Sequence, residues 1–233
     1  MPKITREKWK TWGNVFDEFT IRTLFKLSSQ GHFENLESPL FIGKESNVFS
    51  AKTKTGKIVV KIYRLHTCDF NRMYDYIKSD PRYSSLKKQR RQIIFAWTKR
   101  EYRNLMKARE FGVRCPTPLA VMNNVLLLEF IGDDYAAPKL KDLPPENPEE
   151  FLDEIIKNYK KLHKCGLVHA DFSSFNILNY NEKPVFIDFS QCTSIEDSRA
   201  EEYLDRDIRN ICNYFRKIGF KVSEEDVKKK ILF

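Results

Sequence analysis

No stretch of this 233-residue sequence is apolar over the roughly 18 residues that a membrane-spanning helix needs. The first residues, Met1 to Glu7, lack the apolar core of a secretory signal peptide. Glycine is scarce, with 8 residues, and there is neither a low-complexity tract nor a repeat of about 20–50 residues. These absences argue against a membrane span, a signal peptide, long disorder and a solenoid, and they predict a cytoplasmic globular protein.

Cysteine is also sparse and isolated. The five cysteines, none of them in a Cys-x-x-Cys pair, are Cys68, Cys115, Cys165, Cys192 and Cys212. An odd number at wide spacing is typical of neither a disulfide framework nor a zinc site. We therefore expect reduced thiols in an intracellular protein.

Positive charge, in contrast, is present in excess, with a net charge of +9 at pH 7. Much of it lies in the basic stretch 78–103, where the Lys and Arg residues are 78, 82, 87, 88, 90, 91, 99, 100 and 103. Only Asp80 and Glu101 oppose them there. Such a cluster can neutralise the phosphates of a nucleic acid, although a solvated helix face is the plainer alternative.

The patterns of apolar and turn residues predict helices and strands in a definite order. The first half is expected to hold a helix over 14–30 capped by Asn14, strands near 40–42, 48–51 and 58–63, a partly mobile polar insertion over 66–90, a helix over 92–111, and strands over 117–122 and 125–130. The second half is expected to hold a helix from the Asn147 cap to about Gly166 and two further helices, over 198–218 and 224–232. Prolines 138, 144, 145 and 148 mark the linker between the halves.

This order predicts an α+β protein with two lobes and a ligand cleft between them. The N-terminal lobe holds an antiparallel sheet plus a helix, and the C-terminal lobe is reduced and mainly helical. We expect a single domain over 1–233, with an N-terminal helical segment at 14–35, an N-lobe at 36–132 and a C-lobe at 133–233.

The strongest motif is the segment from His169 to Asn176, which resembles the His-x-Asp loop of kinases with an Asn five residues after the Asp. Asp171 is placed to accept the proton of an attacking oxygen, and the amide oxygen of Asn176 is placed to hold a divalent cation. Asp188 follows the apolar strand that ends at Ile187, and a carboxylate there can bridge Mg²⁺ to phosphates. A single Asp in a turn is usually a cap, but these residues at this spacing favour catalysis.

Lys61 lies among β-branched residues in the segment 58–62, where an ammonium group is costly to bury unless it is paired. The segment resembles the kinase strand whose Lys contacts nucleotide phosphates. Glu101, on the helix predicted behind the strands, is the natural partner of Lys61. An edge-strand Lys and a surface Glu paired along the helix are the alternatives.

Two further segments are candidates for nucleotide contacts. The loop 43–48 lacks the glycines of a kinase loop and of a P-loop, yet its residues Gly43, Lys44, Ser46 and Asn47 can face phosphates while Val48 covers the adenine. The segment 127–132 ends the last strand of the first half, as a kinase hinge does. Backbone groups of Glu129 and Ile131 would there pair with adenine.

Taken together, these motifs resemble the RIO family of atypical serine/threonine kinases. The signature stretches are 43–48, 167–173, 176–178 and 187–191, and the segment 203–207 is also similar. The resemblance covers about 14–218 and implies a protein-kinase-like fold. The RIO-one-like branch is favoured because the other main branch carries a winged-helix domain, for which the helix at 14–30 and its short tail leave no room.

The resemblance implies an ATP-dependent kinase that uses Mg²⁺ or Mn²⁺, autophosphorylates and hydrolyses ATP. Asp188 would itself become a phospho-aspartate. A role in maturation of the small ribosomal subunit is also implied, with binding to its RNA–protein precursor through the basic stretch 78–103, and with no membrane or DNA partner. No Ala-Pro-Glu triplet follows Asp188 and only 45 residues remain, so we expect neither a long activation loop nor peptide-docking helices.

Three other functions stay open at this stage. A conventional protein kinase would turn over peptide substrates. A small-molecule kinase of the aminoglycoside type shares the same motif order, but usually needs a larger helical lobe or an acidic pocket. A non-catalytic scaffold for ribosome assembly is the third, although all four residues of the catalytic pattern are present.

Overall fold

The computed structural model describes residues 16–83 and 85–233. Its first part contains α1 (Glu18–Ser29), β1 (Asn35–Ile42), β2 (Ser46–Thr53), β3 (Gly56–Tyr63), α2 (Phe70–Lys78), a short 3-10 helix (Pro81–Tyr83), α3 (Arg90–Glu110), β4 (Pro118–Met122) and β5 (Val125–Glu129). Its second part contains α4 (Pro148–Lys164), β6 (Leu167–Val168), β7 (Ile177–Tyr180), β8 (Lys183–Phe186), β9 (Thr193–Ser194), α5 (Ala200–Lys217) and α6 (Glu224–Leu232). The predicted order of strands and helices is confirmed.

The first described helix begins later than the sequence predicts. Asp17 caps α1, because its carboxylate accepts a hydrogen bond from Thr20 N at 3.0 Å. The predicted cap Asn14, with Val15 after it, lies outside the described residues. Leu24 and Leu27 of α1 are buried against the sheet.

The N-terminal sheet is antiparallel throughout, with strand order β1-β2-β3-β5-β4. Successive side chains of a strand point to opposite faces of the sheet. In β3, Ile58, Val60 and Ile62 pack in the cluster that includes α1. The alternate residues Val59 and Lys61 therefore face the cleft on the other side.

The segment after β3 differs from the predicted mobile insertion, since residues 70–78 form α2. Met73 and Ile77 of α2 are buried against α3. This narrow apolar face stabilises the helix, although the surrounding sequence is polar and charged. Asp80 behind it is fully buried and lies 2.6 Å from Arg82 Nη2 and 3.4 Å from Arg100 Nε.

The C-terminal half is helical as predicted, with the two short strand pairs β6-β9 and β7-β8 among its helices. Asn147 caps α4 by accepting from Glu150 N at 3.3 Å, and Pro148 is its first residue. Ser223 caps α6 in the predicted place. One large apolar cluster joins α4 and α5 to Leu105 of α3. The single-domain division with a boundary at residue 132 stays a prediction.

The structure bears on the expectations about disulfide bonds and membrane-spanning helices. All five cysteines are buried and none forms a disulfide. Among the helices of the described residues, none combines the length and the hydropathy that crossing a bilayer requires.

Candidate active site

A cleft of about 930 Å³ lies between the N-terminal sheet and the helical half. Its apolar wall comes from both sides of the molecule. The aliphatic residues that line it are Leu40, Val48, Val59, Leu105, Leu128, Ile131, Leu178 and Ile187. Of the polar residues that the sequence identified, Ser46, Lys61, Glu101, Asp171, Asn176 and Asp188 line it as well.

Lys61 connects two carboxylates that are far apart in sequence. Its Nζ lies 2.8 Å from Glu101 Oε1 and 2.9 Å from Asp188 Oδ1. Burial alone would lower the pKa of Lys61, but the charges of Asp188 and Glu101 hold this pKa well above its ordinary value. The Tyr63 hydroxyl donates to Glu101 Oε2 at 2.5 Å, which fixes the other oxygen of that carboxylate. The predicted Lys61–Glu101 pair is therefore present in the structure.

Asp188 follows Ile187 at the end of the β8 segment, where the chain turns. Its φ of +61° is rare for a residue with a side chain and costs on the order of 1–3 kcal/mol. Ser190 Oγ donates to Asp188 Oδ1 at 2.7 Å. Burial would raise the pKa of Asp188, but Lys61 and the Ser190 hydroxyl lower it to about 2. The carboxylate is thus ionised at any physiological pH.

Asp171 and Asn176 face each other within one loop. Asn176 Nδ2 donates to Asp171 Oδ2 at 3.1 Å and to the Asp171 carbonyl at 2.8 Å. Because the nitrogen of this amide is engaged, its oxygen is the atom left for a cation. Ile187 N donates to the Asn176 carbonyl at 3.0 Å, which places Asn176 beside the segment that carries Asp188. Burial and the negative charge of Asp188 raise the pKa of Asp171 to about 6.

Asp207, which the sequence motifs did not indicate as a site residue, supports the loop that presents Asp171. Its carboxylate accepts from Ala170 N at 2.8 Å, Phe172 N at 2.9 Å and Tyr159 OH at 2.6 Å. Burial raises the pKa of Asp207 to about 6. The sequence does contain a feature that indicates this role. Asp207 adjoins Ile208 on the apolar face of a helix, and a buried acid at such a position needs hydrogen-bond partners inside the protein.

Ala170 shows why such support is needed. Its φ of +65° lies in the left-handed region that residues with a Cβ seldom adopt. Asp207 accepts from its N–H, and Arg206 Nη2 donates to its carbonyl oxygen. His169 beside it is fully buried, and burial lowers its pKa to about 4, so the ring is neutral. The His169 Nε2 contact with Ile187 O at 3.2 Å then requires the proton on Nε2.

The loop between β1 and β2 is only partly as predicted. Ser46 and Val48 line the cleft, and Val48 pairs in register with Lys61. Asn47 does not line it. Because side chains alternate, Asn47 lies on the face that holds Phe49 and borders a separate cavity of about 130 Å³ near α1. The placement of Asn47 toward the cleft is therefore corrected.

Gly43 and Lys44 also lie outside the lining of the cleft. Lys44 is exposed at the tip of the loop. A Cβ at Gly43 would come within 2.6 Å of Cε1 of Phe41, so the missing side chain makes room for that ring. The structure thus places this glycine against an aromatic side chain and not within the lining of the cleft.

The segment after β5 borders the cleft where a hinge was predicted. The Ile131 carbonyl accepts from Ala137 N at 2.9 Å, while the Ile131 N–H donates no hydrogen bond within the described part of the chain. The Glu129 carboxylate is engaged by Thr117, whose N and Oγ1 lie 2.9 and 2.7 Å away. The Glu129 N–H is engaged as well, because it donates to the Thr117 carbonyl at 2.8 Å. Of these groups, the Ile131 N–H is therefore the one that stays available to a ligand within the described residues.

The basic stretch 78–103 does not form one continuous surface. Arg100 is fully buried and lies beside Asp80, which also binds Arg82. Arg90 and Arg91 lie over the rings of Phe70 and Phe19, at 4.2 and 4.9 Å. The residues of the stretch that are exposed and lack such an aromatic or ionic partner among the described residues are Lys87, Lys99 and Arg103.

A buried Lys–Glu pair, an Asp after a short strand and an Asp–Asn loop around one interlobe cleft define the kinase-like class of phosphotransferases. Comparison with known proteins supports the kinase-like class and also identifies a family within it. The RIO domain model matches residues 47–229, so the chain belongs to the RIO family. Its relatives in that family are named as serine/threonine-protein kinases.

Two archaeal relatives cover most of the chain. The RIO-type serine/threonine-protein kinase Rio1 of Methanocaldococcus jannaschii is 41% identical over 227 residues, which are 97% of this chain and 78% of the relative. Rio1 of Haloferax volcanii is 38% identical over 216 residues, which are 91% of this chain and 74% of the relative. These values support the RIO-one-like branch that the sequence favoured.

Solved structures support the fold. The Rio2 kinase of Chaetomium thermophilum superimposes with a TM-score of 0.69 at 21% identity, over 91% of this chain and 67% of that one. A second structure of that kinase, an ADP/Mg²⁺-phosphoaspartate complex, gives 0.66 at 23% identity, over 91% and 66%. The predicted kinase-like α+β fold is confirmed.

Proposed function

We propose that this protein is an ATP-dependent serine/threonine kinase that also hydrolyses ATP through a phosphorylated Asp188. One observation carries the proposal: Lys61 joins Glu101 to Asp188 across the cleft that Asp171 and Asn176 also line. In kinases, such a Lys contacts nucleotide phosphates when its Glu partner is in place.

ATP fits the cleft in one orientation. The adenine would lie between Val48 and Val59 of the sheet and Leu178 and Ile187 of the C-terminal half. Its polar edge would face the Ile131 N–H, which has no acceptor within the described residues. Lys61 is then the cation at the phosphate end. A largely apolar pocket with a few fixed polar groups is the usual form of such a site.

Asp188 and Asn176 would hold a Mg²⁺ or Mn²⁺ ion. One carboxylate and one amide oxygen suit a hard cation that takes its remaining ligands from phosphates and water. The donor set fits, because Asn176 Nδ2 is engaged by Asp171 and leaves the amide oxygen available. When bound, the ion neutralises charge on the phosphates of ATP.

The proposed reaction transfers the γ-phosphoryl group first to Asp188 and then to water. A carboxylate oxygen of Asp188 forms a bond to the γ-phosphorus of ATP, the bond to the bridging oxygen breaks, and ADP leaves. Water then attacks the acyl phosphate and releases inorganic phosphate, while Asp171 accepts the proton. The solved Rio2 complex of Chaetomium thermophilum, which contains a phosphoaspartate, supports this assignment by similarity. Transfer to a serine is the kinase branch of the same reaction.

We further propose that the protein acts in the cytoplasm on the precursor of the small ribosomal subunit. The net charge of +9 and the exposed residues Lys87, Lys99 and Arg103 support an RNA–protein partner. Co-sedimentation of the purified chain with precursor subunits tests this role. Substitution of these three residues by Gln is expected to weaken it, and unchanged co-sedimentation would remove the surface from the proposal.

A single-turnover reaction with γ-labelled ATP and Mg²⁺ tests the activity. The expected result is label on the protein followed by phosphate release, both lost in Asp188→Ala. Label passed readily to added protein substrates would favour a conventional protein kinase. Neither nucleotide binding nor label would leave only a scaffold.

A further inference from the structure

Two exposed aromatic rings stand at the mouth of the cleft. Phe41 at the end of β1 is 51% exposed and Phe175 in the Asp171–Asn176 loop is 57% exposed, and both line the cleft. They come from opposite sides, one from the N-terminal sheet and one from the C-terminal half. Neither ring has a part in the nucleotide site proposed above, although so much exposed aromatic surface is costly in water.

A lysine lies over each ring. Lys139 Nζ is 4.7 Å from the ring centroid of Phe41, and Lys141 Nζ is 5.3 Å from that of Phe175. Both lysines line the cleft. Lys141 is partly neutralised by Asp142, whose Oδ1 lies 2.5 Å from its Nζ. We call Phe41, Phe175, Lys139 and Lys141 the aromatic rim.

The rim is held in place by the backbone. Lys141 N donates to the Ser174 carbonyl at 3.1 Å, and Lys139 forms a β-bridge with Leu178. The two lysines are therefore fixed relative to the loop that carries Phe175. On the other side, Gly43 provides the space for the Phe41 ring, since a Cβ there would come within 2.6 Å of it.

Aromatic rings that are about half exposed and adjoin ammonium groups match one class of ligand in particular. Unpaired bases stack on aromatic rings, while lysines neutralise the adjoining phosphates, and this pairing is how proteins hold single strands. An acidic peptide would use the lysines without needing two rings. A hydrophobic peptide would use the rings without needing the lysines.

We propose that the aromatic rim binds single-stranded RNA at the mouth of the cleft, beside Asp171. The choice of RNA as the ligand rests on the proposed ribosomal role. It adds to that role a second RNA-binding surface, separate from Lys87, Lys99 and Arg103. The bound strand would lie next to the nucleotide, so that both ligands share one opening.

Fluorescence anisotropy of the full chain with labelled 12-nucleotide RNA, in the presence of ADP and Mg²⁺, tests the proposal. Phe41→Leu and Phe175→Leu keep the apolar volume and remove the ring. Each is expected to weaken binding about tenfold, the loss of one stacked base. Lys139→Gln is expected to weaken binding and to reduce its dependence on salt. Phe111→Leu, at a ring that is 50% exposed beyond α3, is the matched control and should change nothing.

Other outcomes would overturn the proposal. RNA affinity that is lost in Lys99→Gln and Arg103→Gln but kept in both Phe variants would place RNA on α3. Binding of an acidic peptide, or of the matching DNA in preference to RNA, would change the partner. ADP affinity and ATP turnover, measured in the same proteins, distinguish failure of this proposal from failure of the proposed phosphotransferase activity. If ADP binding and ATP turnover are intact but no RNA binds, only the proposal for the aromatic rim is wrong.

Discussion

The ammonium nitrogen of Lys61 lies 2.9 Å from Asp188 Oδ1, a contact between residues that are 127 positions apart in the chain. It links a strand of the N-terminal sheet to the turn after β8. Lys61 also holds Glu101 of α3 at 2.8 Å, so three separate elements meet at one charge. These contacts hold the ammonium group and the two carboxylates at fixed distances, and fixed charges of this kind favour electrostatic catalysis.

Replacing Lys61 by Met is expected to lower the single-turnover rate with ATP on the order of 10²–10³-fold, because a fixed cation at the phosphates is lost. Lys54→Met is the control, since Lys54 is exposed in the turn between β2 and β3. Quenched-flow measurement with γ-labelled ATP checks both variants. Equal rates for both would show that Lys61 has no part in the transfer.

Asp171→Asn should make the ligand-free protein more stable at neutral pH. The folded pKa of Asp171 is raised from 3.8 to about 6, so folding favours the protonated carboxyl, and its ionisation costs stability as the pH rises through that range. Asn cannot ionise and keeps an oxygen for Asn176. A pKa shift of this size corresponds to about 3 kcal/mol. Because Asp171 is partly exposed, we expect the free energy of unfolding above pH 6 to rise by only about 1–2 kcal/mol in the variant.

Urea unfolding of both proteins between pH 4.5 and pH 8, without nucleotide or cation, measures this difference. The stability advantage of the Asn variant should shrink as the pH falls below about 6. An advantage that is independent of pH would show that the ionisation of Asp171 is not its cause.

Asp80→Asn is expected to destabilise the protein by about 3–5 kcal/mol, because it leaves the buried guanidinium of Arg100 without its counter-ion. Asp75→Asn, in α2, removes an ion pair with Lys78 that is more than half exposed and should change the stability little. Urea unfolding at pH 7 compares them. Similar, small losses would mean that Arg100 has another partner.

Asp207→Asn should reduce kcat on the order of 10²-fold with little effect on the KM for ATP. Asn has a single acceptor oxygen, so its NH₂ group would face the N–H of either Ala170 or Phe172, and that hydrogen bond would be lost. The loop that carries Asp171 would then shift. Asp205→Asn is the matched control, because Asp205 lies on the exposed side of α5 and pairs with Lys228. Steady-state kinetics that are equal for the two variants would contradict the positioning role of Asp207.

The sequence was sufficient to predict several of the polar residues that line the cleft, because the spacing of a motif reflects the chemistry it serves. Asp171, Asn176 and Asp188 could be found from their places after apolar segments, and Lys61 from its β-branched neighbours. Strand alternation also places Val48 beside Lys61, and applying the same alternation to Asn47 would have kept it out of the cleft.

Other features depend on contacts between distant segments, which local patterns do not report. Only Met73 and Ile77 of α2 are fully buried, in a segment rich in polar residues, so the helix depends on its packing against α3. Burial of Arg100 likewise depends on Asp80, twenty positions away. A count of basic residues in the sequence cannot separate such internal charges from those on the surface.

Identification of the residue that receives the γ-phosphoryl group tests the central claim most directly. The full chain is mixed with ATP and Mg²⁺, quenched in acid and treated with hydroxylamine, and its peptides are analysed by mass spectrometry. We expect a hydroxamate on Asp188 that is absent without ATP and strongly reduced in Lys61→Met. Phosphate found only on serine or threonine, with Asp188 unmodified throughout the time course, would contradict the account.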